Sequence, residues 1–348
     1  MKKIVVLGFG GTISTTYDPV RKTRFPTYTV KEIIEKVDEL QLEEIIPVDL
    51  GTIDSTEVNE SHWTELAQLV HAHVSRPEVA GVVITHGTDT MSFSSAAISL
   101  AVQNLGKPVI FTGSQRGIDE PHTDARFNLL NAVSLAKGNL SGVYLSFGGL
   151  LIAGTRAAKT RSSSYQAFES INYPYLSPYL VGAPFQTLGH QRMEVNPPLR
   201  NDELVPECYP YFETPAHYMD IFPSNPNRLT TFVDYLVSQD YLGLVVKGFG
   251  LGNIPSTLTE RLTREDVTFP TILSTQCRYE GAELSAYSLG KQAEEAGIIS
   301  ARDMPPETAW VKLKWVLGCL EHVHKLSPPY DRQVVKEEIH RQVAVEIS

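Results

Sequence analysis

Three kinds of residue in this chain have the chemistry to open an unreactive bond: threonine hydroxyls in glycine-rich loops, one lysine, and neighbouring carboxylates. Thr12 lies in "GFGGTIST", just past the aliphatic run "KIVVL". Glycines at a strand end let backbone N–H groups approach a developing oxyanion, and Thr12 sits where a nucleophilic hydroxyl would be presented. A hydroxyl is a poor nucleophile until a base takes its proton. "THGTDTM" repeats the arrangement after "GVVI" and supplies Thr88 and Asp89. Lys159 in "GTRAAKTRSSSYQAF" would act as base where desolvation favours its neutral form. "TIDSTEV" adds Asp54, Ser55 and Thr56 after a further strand-like piece.

Each residue has a plainer reading. The glycines form a tight turn, and Thr12 bonds to backbone. Thr88 and Asp89 cap the following helix, Asp54 to Thr56 cap another, and Lys159 is a solvated surface charge. His86 is expected to be structural. Nucleotide-binding loops fit poorly. Gly8 and Gly10 are followed by Ile13 where a dinucleotide fingerprint needs its third glycine, and no Gly-Lys-Ser/Thr follows.

Strand-like runs must position these loops. "KIVVL", "GVVIT", "KPVIFTG" and "GVYLSFGG" alternate with helical patterns at "ESHWTELAQLVHAHV", "TMSFSSAAISLAVQNL" and "ARFNLLNAVSLA". Repeated βα units predict a mostly parallel sheet with helices on both faces. Ligands of such sheets bind beyond the carboxyl ends of the strands, where every loop named above lies. Seven prolines between Asn196 and Arg228 reject a regular helix and mark a connection. The expected division is a first domain over 1–195, a connecting segment over 196–228 and a smaller α/β domain over 229–348. In the last, "ETAWVKLKWVLGCLEHV" reads as a core helix with Trp310 and Trp315 inside.

Composition narrows the class. At 348 residues with 42% hydrophobic and 20% charged content, the chain is a globular protein of one large or two ordinary domains. A net charge of −10 argues against nucleic-acid and anionic-membrane partners. The three cysteines are far apart and form no metal-ligand cluster, so no metal is expected. The opening lysines and short apolar run suggest a buried strand rather than a signal peptide, and no segment reaches a membrane span. A cytoplasmic protein is expected.

The loops together resemble the bacterial-type L-asparaginase family, in its cytoplasmic (type I) branch. "GGTI" at 10–13 and "HGTDTM" at 86–91 match its two signature segments. "KPVIFTGSQ" at 107–115, "NLLNA" at 128–132, "GLGNIP" at 250–255 and "TQC" at 275–277 follow in the family's order. The resemblance implies a larger and a smaller α/β domain, a homodimer or homotetramer, no cofactor, and hydrolysis of L-asparagine to L-aspartate and ammonia. A glutaminase-asparaginase or another related amidohydrolase is the alternative. The amidotransferase component that makes glutaminyl-tRNA ranks low, because it carries an additional N-terminal domain and the first strand here begins at Lys3.

Carried over, the resemblance makes Thr12 the nucleophile and joins Thr88, Lys159 and Asp89 as the group that positions or activates water. N–H groups of Gly11 and Thr88 would meet the oxyanion, Ser55 the α-carboxylate, Asp89 the α-ammonium and the backbone at Ser114 the leaving amide. Asp54 and Thr56 flank Ser55. Thr56 stands where dual-specificity relatives carry glutamine, which implies a preference for asparagine over glutamine. Asn253 would complete the pocket of a neighbouring subunit.

Three features depart from the pattern. Phe9 replaces the usual threonine beside the nucleophile. The tyrosine that covers the site has no counterpart at its usual offset, which falls on Arg24 and Phe25; Tyr28 or Tyr17 would replace it, with Tyr28 preferred. The pocket for a regulatory second asparagine would contain Ala158, Lys247 and Cys277. There Ala158 lacks a hydroxyl and Lys247 replaces arginine.

Overall fold

The computed structural model describes residues 2–176 and 198–347. The backbone divides into two compact units, Met1–Pro210 and Tyr211–Ser348. The division falls inside the proline-rich stretch expected to be a connection. Residues 177–195 of the expected first domain, and 196–197 of the connection, lie outside the described residues.

The first unit is built on a six-stranded sheet. Its strands are β1 (Lys3–Gly8), β2 (Ile45–Asp49), β3 (Val79–Thr85), β4 (Pro108–Thr112), β5 (Gly142–Phe147) and β6 (Leu150–Ala153). They lie in the order β2-β1-β3-β4-β5-β6, and every pair is parallel except β5 with β6. Every residue of β3 and β4 is buried. A strand buried on both faces reads as a continuous apolar run rather than an alternation, as "VAGVVIT" does. The helices α1 (Glu60–Val74), α2 (Met91–Ala101) and α3 (Ala125–Lys137) connect these strands and turn their apolar sides inward, with Trp63, Leu66, Ile98, Leu100, Leu129 and Leu135 all buried.

Register places the loops. Gly8 lies opposite both Asp49 and Thr85, and Thr85 lies opposite Thr112. Four parallel strands therefore end level with one another, and the loops after them emerge side by side. Beyond β6, the short pair β7 (Ala157–Lys159) and β8 (Phe168–Ser170) is antiparallel, with Lys159 opposite Phe168.

The second unit holds four parallel strands in sequential order: β9 (Ala216–Asp220), β10 (Gly243–Gly248), β11 (Thr271–Thr275) and β12 (Ile299–Ser300). Its helices include α4 (Pro226–Ser238), α5 (Pro306–His322) and α6 (Arg332–His340). Strand β9 lies within the proline-rich stretch, directly after Pro215. That stretch is thus more than a connection. On α5, Trp315 is buried in the core, whereas Trp310 is half-buried with the Lys314 ammonium 5.4 Å from its ring centroid. No helix of the described residues is long and apolar enough to cross a membrane.

Candidate active site

The loops after β1 and β3 are pressed together at two glycines. Gly11 has φ 86°, and a Cβ there would stand 2.4 Å from the backbone nitrogen of Gly87. A Cβ on Gly87 would meet the Ser55 side chain at 2.5 Å. Three loops from three strands thus touch where only glycine fits. Thr12 follows Gly11 and opens a 3-10 turn (Thr12–Ser14), whose first N–H groups have no partner within it.

Thr88 and Asp89 do not cap α2. The N-cap is Thr90, and its hydroxyl donates to the Ser55 carbonyl oxygen at 2.7 Å. This frees the two preceding side chains. Lys159, from β7, donates to the Thr88 hydroxyl at 2.8 Å and to Asp89 Oδ1 at 2.6 Å. Lys159 is mostly covered and Asp89 more than half exposed, with side-chain accessibilities of 16% and 59%. The lysine is therefore not a solvated surface charge but one corner of a hydroxyl–ammonium–carboxylate cluster. Among the described residues, no hydrogen bond engages the Thr12 hydroxyl or the Thr88 N–H.

A cleft with two arms opens on this cluster, and Thr12, Arg24, Thr88 and Asp89 line both. The smaller arm, about 190 Å³, is walled by Gly11, Thr52, Ile53, Asp54, Ser55 and Gly87. The larger, about 650 Å³, is walled by Gln115, Arg116, Lys159, Ser162, Ser163 and Tyr165. Asp54 accepts from the Thr56 N–H at 2.9 Å and the Thr56 hydroxyl at 2.8 Å, and these bonds hold its carboxyl below the usual carboxylate range. Thr56 is thereby turned to Asp54 and does not line the cleft.

Other expected groups are engaged with partners within the protein or lie outside the lining of the cleft. The Gly11 N–H donates to the Ile53 carbonyl oxygen at 3.3 Å, so in this conformation it is committed away from an oxyanion. Ser114 is buried and its hydroxyl donates to the Arg116 carbonyl oxygen, while the next two residues reach the cleft. The Tyr28 hydroxyl donates to Asp119 at 2.9 Å and lies outside the lining. Asn253 belongs to the second unit, where its backbone closes a turn on Phe249.

Sequence reasoning misses Arg24 as a site residue, although the offset of the family's covering tyrosine falls on it. It comes from the antiparallel hairpin of Thr15–Asp18 with Thr23–Pro26. Glu120 grips its guanidinium through two bonds, 2.7 and 2.9 Å, which raises the Arg24 pKa and lowers that of Glu120. Phe9 is buried and packs on His86 behind the signature loops. Among the described residues, no group of three or more His, Cys, Asp or Glu side chains is placed to hold a metal ion.

A two-unit α/β chain with a threonine, lysine and aspartate cluster at its parallel strand ends is the class that fold and site define. The N-terminal asparaginase model matches residues 3–187, and the glutaminase/asparaginase C-terminal domain model matches residues 219–326. The chain belongs to the asparaginase family of amidohydrolases. It is 32% identical over 341 residues to an L-asparaginase of Thermococcus kodakarensis, covering 96% of this chain and 98% of that protein. A solved structure of the thermostable L-asparaginase of that organism superposes with a TM-score of 0.81 at 29% identity over 99% of both chains. A glutamyl-tRNA(Gln) amidotransferase component of Pyrococcus abyssi is 32% identical over 340 residues, covering 94% of this chain and 75% of that protein.

Proposed function

We propose that the chain hydrolyses the side-chain amide of L-asparagine to L-aspartate and ammonia as a cytoplasmic, homo-oligomeric enzyme of the type I branch. The observation that carries this reading is the Thr88–Lys159–Asp89 cluster on a cleft that Thr12 also lines. Ser55 and Asp89 flank the smaller arm and suit an α-carboxylate and an α-ammonium. The Thr12 oxygen attacks the amide carbon, and the N–H groups of Thr12 and Thr88 are the donors suited to the resulting oxyanion. The C–N bond then breaks, nitrogen leaves with the proton of Thr12 as ammonia, and a β-aspartyl ester remains. Water attacks that ester and regenerates Thr12.

Lys159 handles the protons. In its amine form it accepts a proton through the Thr88 hydroxyl, and as an ammonium it returns one. Asn253 of a neighbouring subunit is the proposed completion of the pocket. Tyr28 remains the proposed covering tyrosine, on condition that its bond to Asp119 breaks on closure.

Ammonia release from purified protein, with L-asparagine, D-asparagine and L-glutamine in parallel, tests the assignment. Release from L-asparagine in clear excess is the expected result. Equal efficiency on L-glutamine favours the glutaminase-asparaginase alternative, and silence towards all three rejects amide hydrolysis. The relatives named as amidotransferase components favour a second reading, in which the ammonia feeds another protein's reaction. Full-rate release to solvent by the isolated chain counts against it.

A further inference from the structure

We infer that the larger arm of the cleft is a leaving-group site for an amine that carries a carboxylate, so that the chain also cleaves short β-aspartyl peptides. The inference rests on the asparaginase reading above. The smaller arm receives the amino-acid part of the substrate, and Thr12 stands where the arms meet. The bond to be broken then points out of the smaller arm and into the larger. Ammonia has no need of an arm more than three times the volume of the one that holds the amino acid.

The walls define what the arm takes. Three cations face it, and two are already matched: Lys159 by Asp89 and Arg24 by Glu120. Arg116 forms no ion pair within 4 Å among the described residues, although its charge also acts on Glu120 and helps lower that carboxyl's pKa. Its Nη1 donates to the Pro121 carbonyl oxygen at 2.8 Å, and its guanidinium carbon lies 5.9 Å from the Tyr165 ring centroid. That leaves donors free on a planar fork suited to a carboxylate. The fork stands on a braced loop. Buried Asp124 accepts from the backbone N–H of Gln115 at 3.0 Å and of Arg116 at 3.2 Å, and from Asn128 Nδ2 at 3.2 Å. The Gln115 side chain donates to the Ser164 carbonyl oxygen at 3.0 Å and ties this loop to the segment that brings Ser162 and Ser163.

The chemistry needs no further reagent. The Thr12 oxygen bonds to the β-carbonyl carbon, the C–N bond breaks, and the nitrogen leaves with the proton of Thr12 as the free amine of the second residue. Water then releases aspartate from the ester.

The test uses the full chain and three substrates: L-asparagine, L-β-aspartylglycine and L-β-aspartylglycinamide, which differs from the dipeptide by its lost charge. Aspartate release gives kcat/KM for each. The dipeptide is expected to exceed the glycinamide by about tenfold or more, the equivalent of about 1.4 kcal/mol. In Arg116→Gln that ratio is expected to fall to within about twofold, and in Arg116→Lys to lie between, because a point charge replaces the fork. A ratio taken on one preparation is insensitive to any misfolded fraction. Equal rates on the two amides in the wild type, or a ratio that Arg116→Gln leaves intact, overturns the inference. So does hydrolysis of asparagine with neither β-aspartyl amide cleaved, which leaves the asparaginase reading standing. Silence towards all three substrates overturns both.

Discussion

Phe9 lies face to face with His86, the ring centroids 5.1 Å apart and the planes inclined by 18°. The His62 ring stands nearly perpendicular to Phe9 with the centroids 6.0 Å apart, and the Phe111 and His86 centroids are 6.1 Å apart. His86 Nδ1 is 2.7 Å from the Gly87 carbonyl oxygen. A carbonyl only accepts, so Nδ1 carries a proton, and burial favours the neutral ring over the imidazolium. Phe9 thus covers an imidazole behind the Gly11–Gly87 contact, and burial pushes its pKa down to about 4 from 6.5.

This arrangement makes stability depend on pH. The unfolded chain protonates His86 near pH 6.5, whereas the folded chain resists until about 4. Between these values the unfolded state binds the extra proton, so the contribution is complete above pH 6.5 and is lost as pH falls towards 4. Wild type is expected to lose about 3 kcal/mol more than His86→Phe over that window. Urea unfolding of both proteins at a series of pH values measures the difference. Parallel curves would show that the imidazole is not the group responsible.

Thr12→Ala and Thr88→Ala are each expected to remove nearly all turnover while the protein stays folded. Loss of a nucleophile or of its proton-handling partner costs several powers of ten, with a residual rate from the oxyanion donors. Single-turnover kinetics beside circular dichroism separate lost chemistry from lost fold. Near wild-type turnover in either variant rejects the role given to that hydroxyl.

Asp89→Asn separates binding from stability. The carboxylate is more than half exposed, so losing its pair with Lys159 is expected to cost under about 1 kcal/mol of folding stability. The same carboxylate is proposed to hold the α-ammonium, and KM for L-asparagine should therefore rise at least about tenfold. Calorimetry and initial rates check the two halves independently. An unchanged KM removes Asp89 from the substrate site.

In the second unit, Lys312 and Glu346 form an ion pair with neither side chain accessible to solvent. Lys312 also donates to the Arg341 carbonyl oxygen at 2.6 Å, and Glu346 accepts from the N–H groups of Val343 and Ala344. The end of the chain is thereby fastened to α5. Glu346→Leu strands a buried ammonium and is expected to cost about 3–5 kcal/mol, whereas the double variant Lys312→Met/Glu346→Leu should recover most of it. Thermal unfolding of the three proteins decides. A double variant no better than the single one assigns the loss to packing rather than to charge.

That fastening is not legible in the sequence, because the resemblance fades near residue 320 and nothing pairs Lys312 with a glutamate over thirty positions away. Apolar runs and turn residues are enough to locate β1, β3, β4 and β5 and the loops that follow them. Strand β9 escapes because "AHYMD" is a half-buried edge strand behind a proline, without the β-branched run that marks the central strands. The cap reading of Thr88 and Asp89 fails by one or two residues: Thr90 takes the N-cap, and only tertiary folding brings Lys159 to the pair. Arg24 reaches the cleft through a hairpin whose partner, Glu120, lies on another loop, a relation no local pattern contains.

The rate is expected to depend hyperbolically on L-asparagine up to millimolar concentrations. The regulatory pocket that the family resemblance implies would contain Ala158, Lys247 and Cys277. In this chain Ala158 is a buried methyl on β7, and Cys277 is exposed two residues beyond β11. Lys247 on β10 stands 3.2 Å from Asp220 Oδ1, across from it in the register with β9, so its charge is already answered. An effector carboxylate must compete with Asp220 for a point charge and gains no fork of parallel bonds. Each missing interaction with a charged group is worth about 1.5–3 kcal/mol, as much as the whole coupling of about 1–3 kcal/mol between typical allosteric sites. Initial rates across the concentration range give the Hill coefficient. A value clearly above one would show that the pocket has been rebuilt from other residues, and Asp220→Asn would then identify whether Lys247 belongs to it by strengthening the cooperativity.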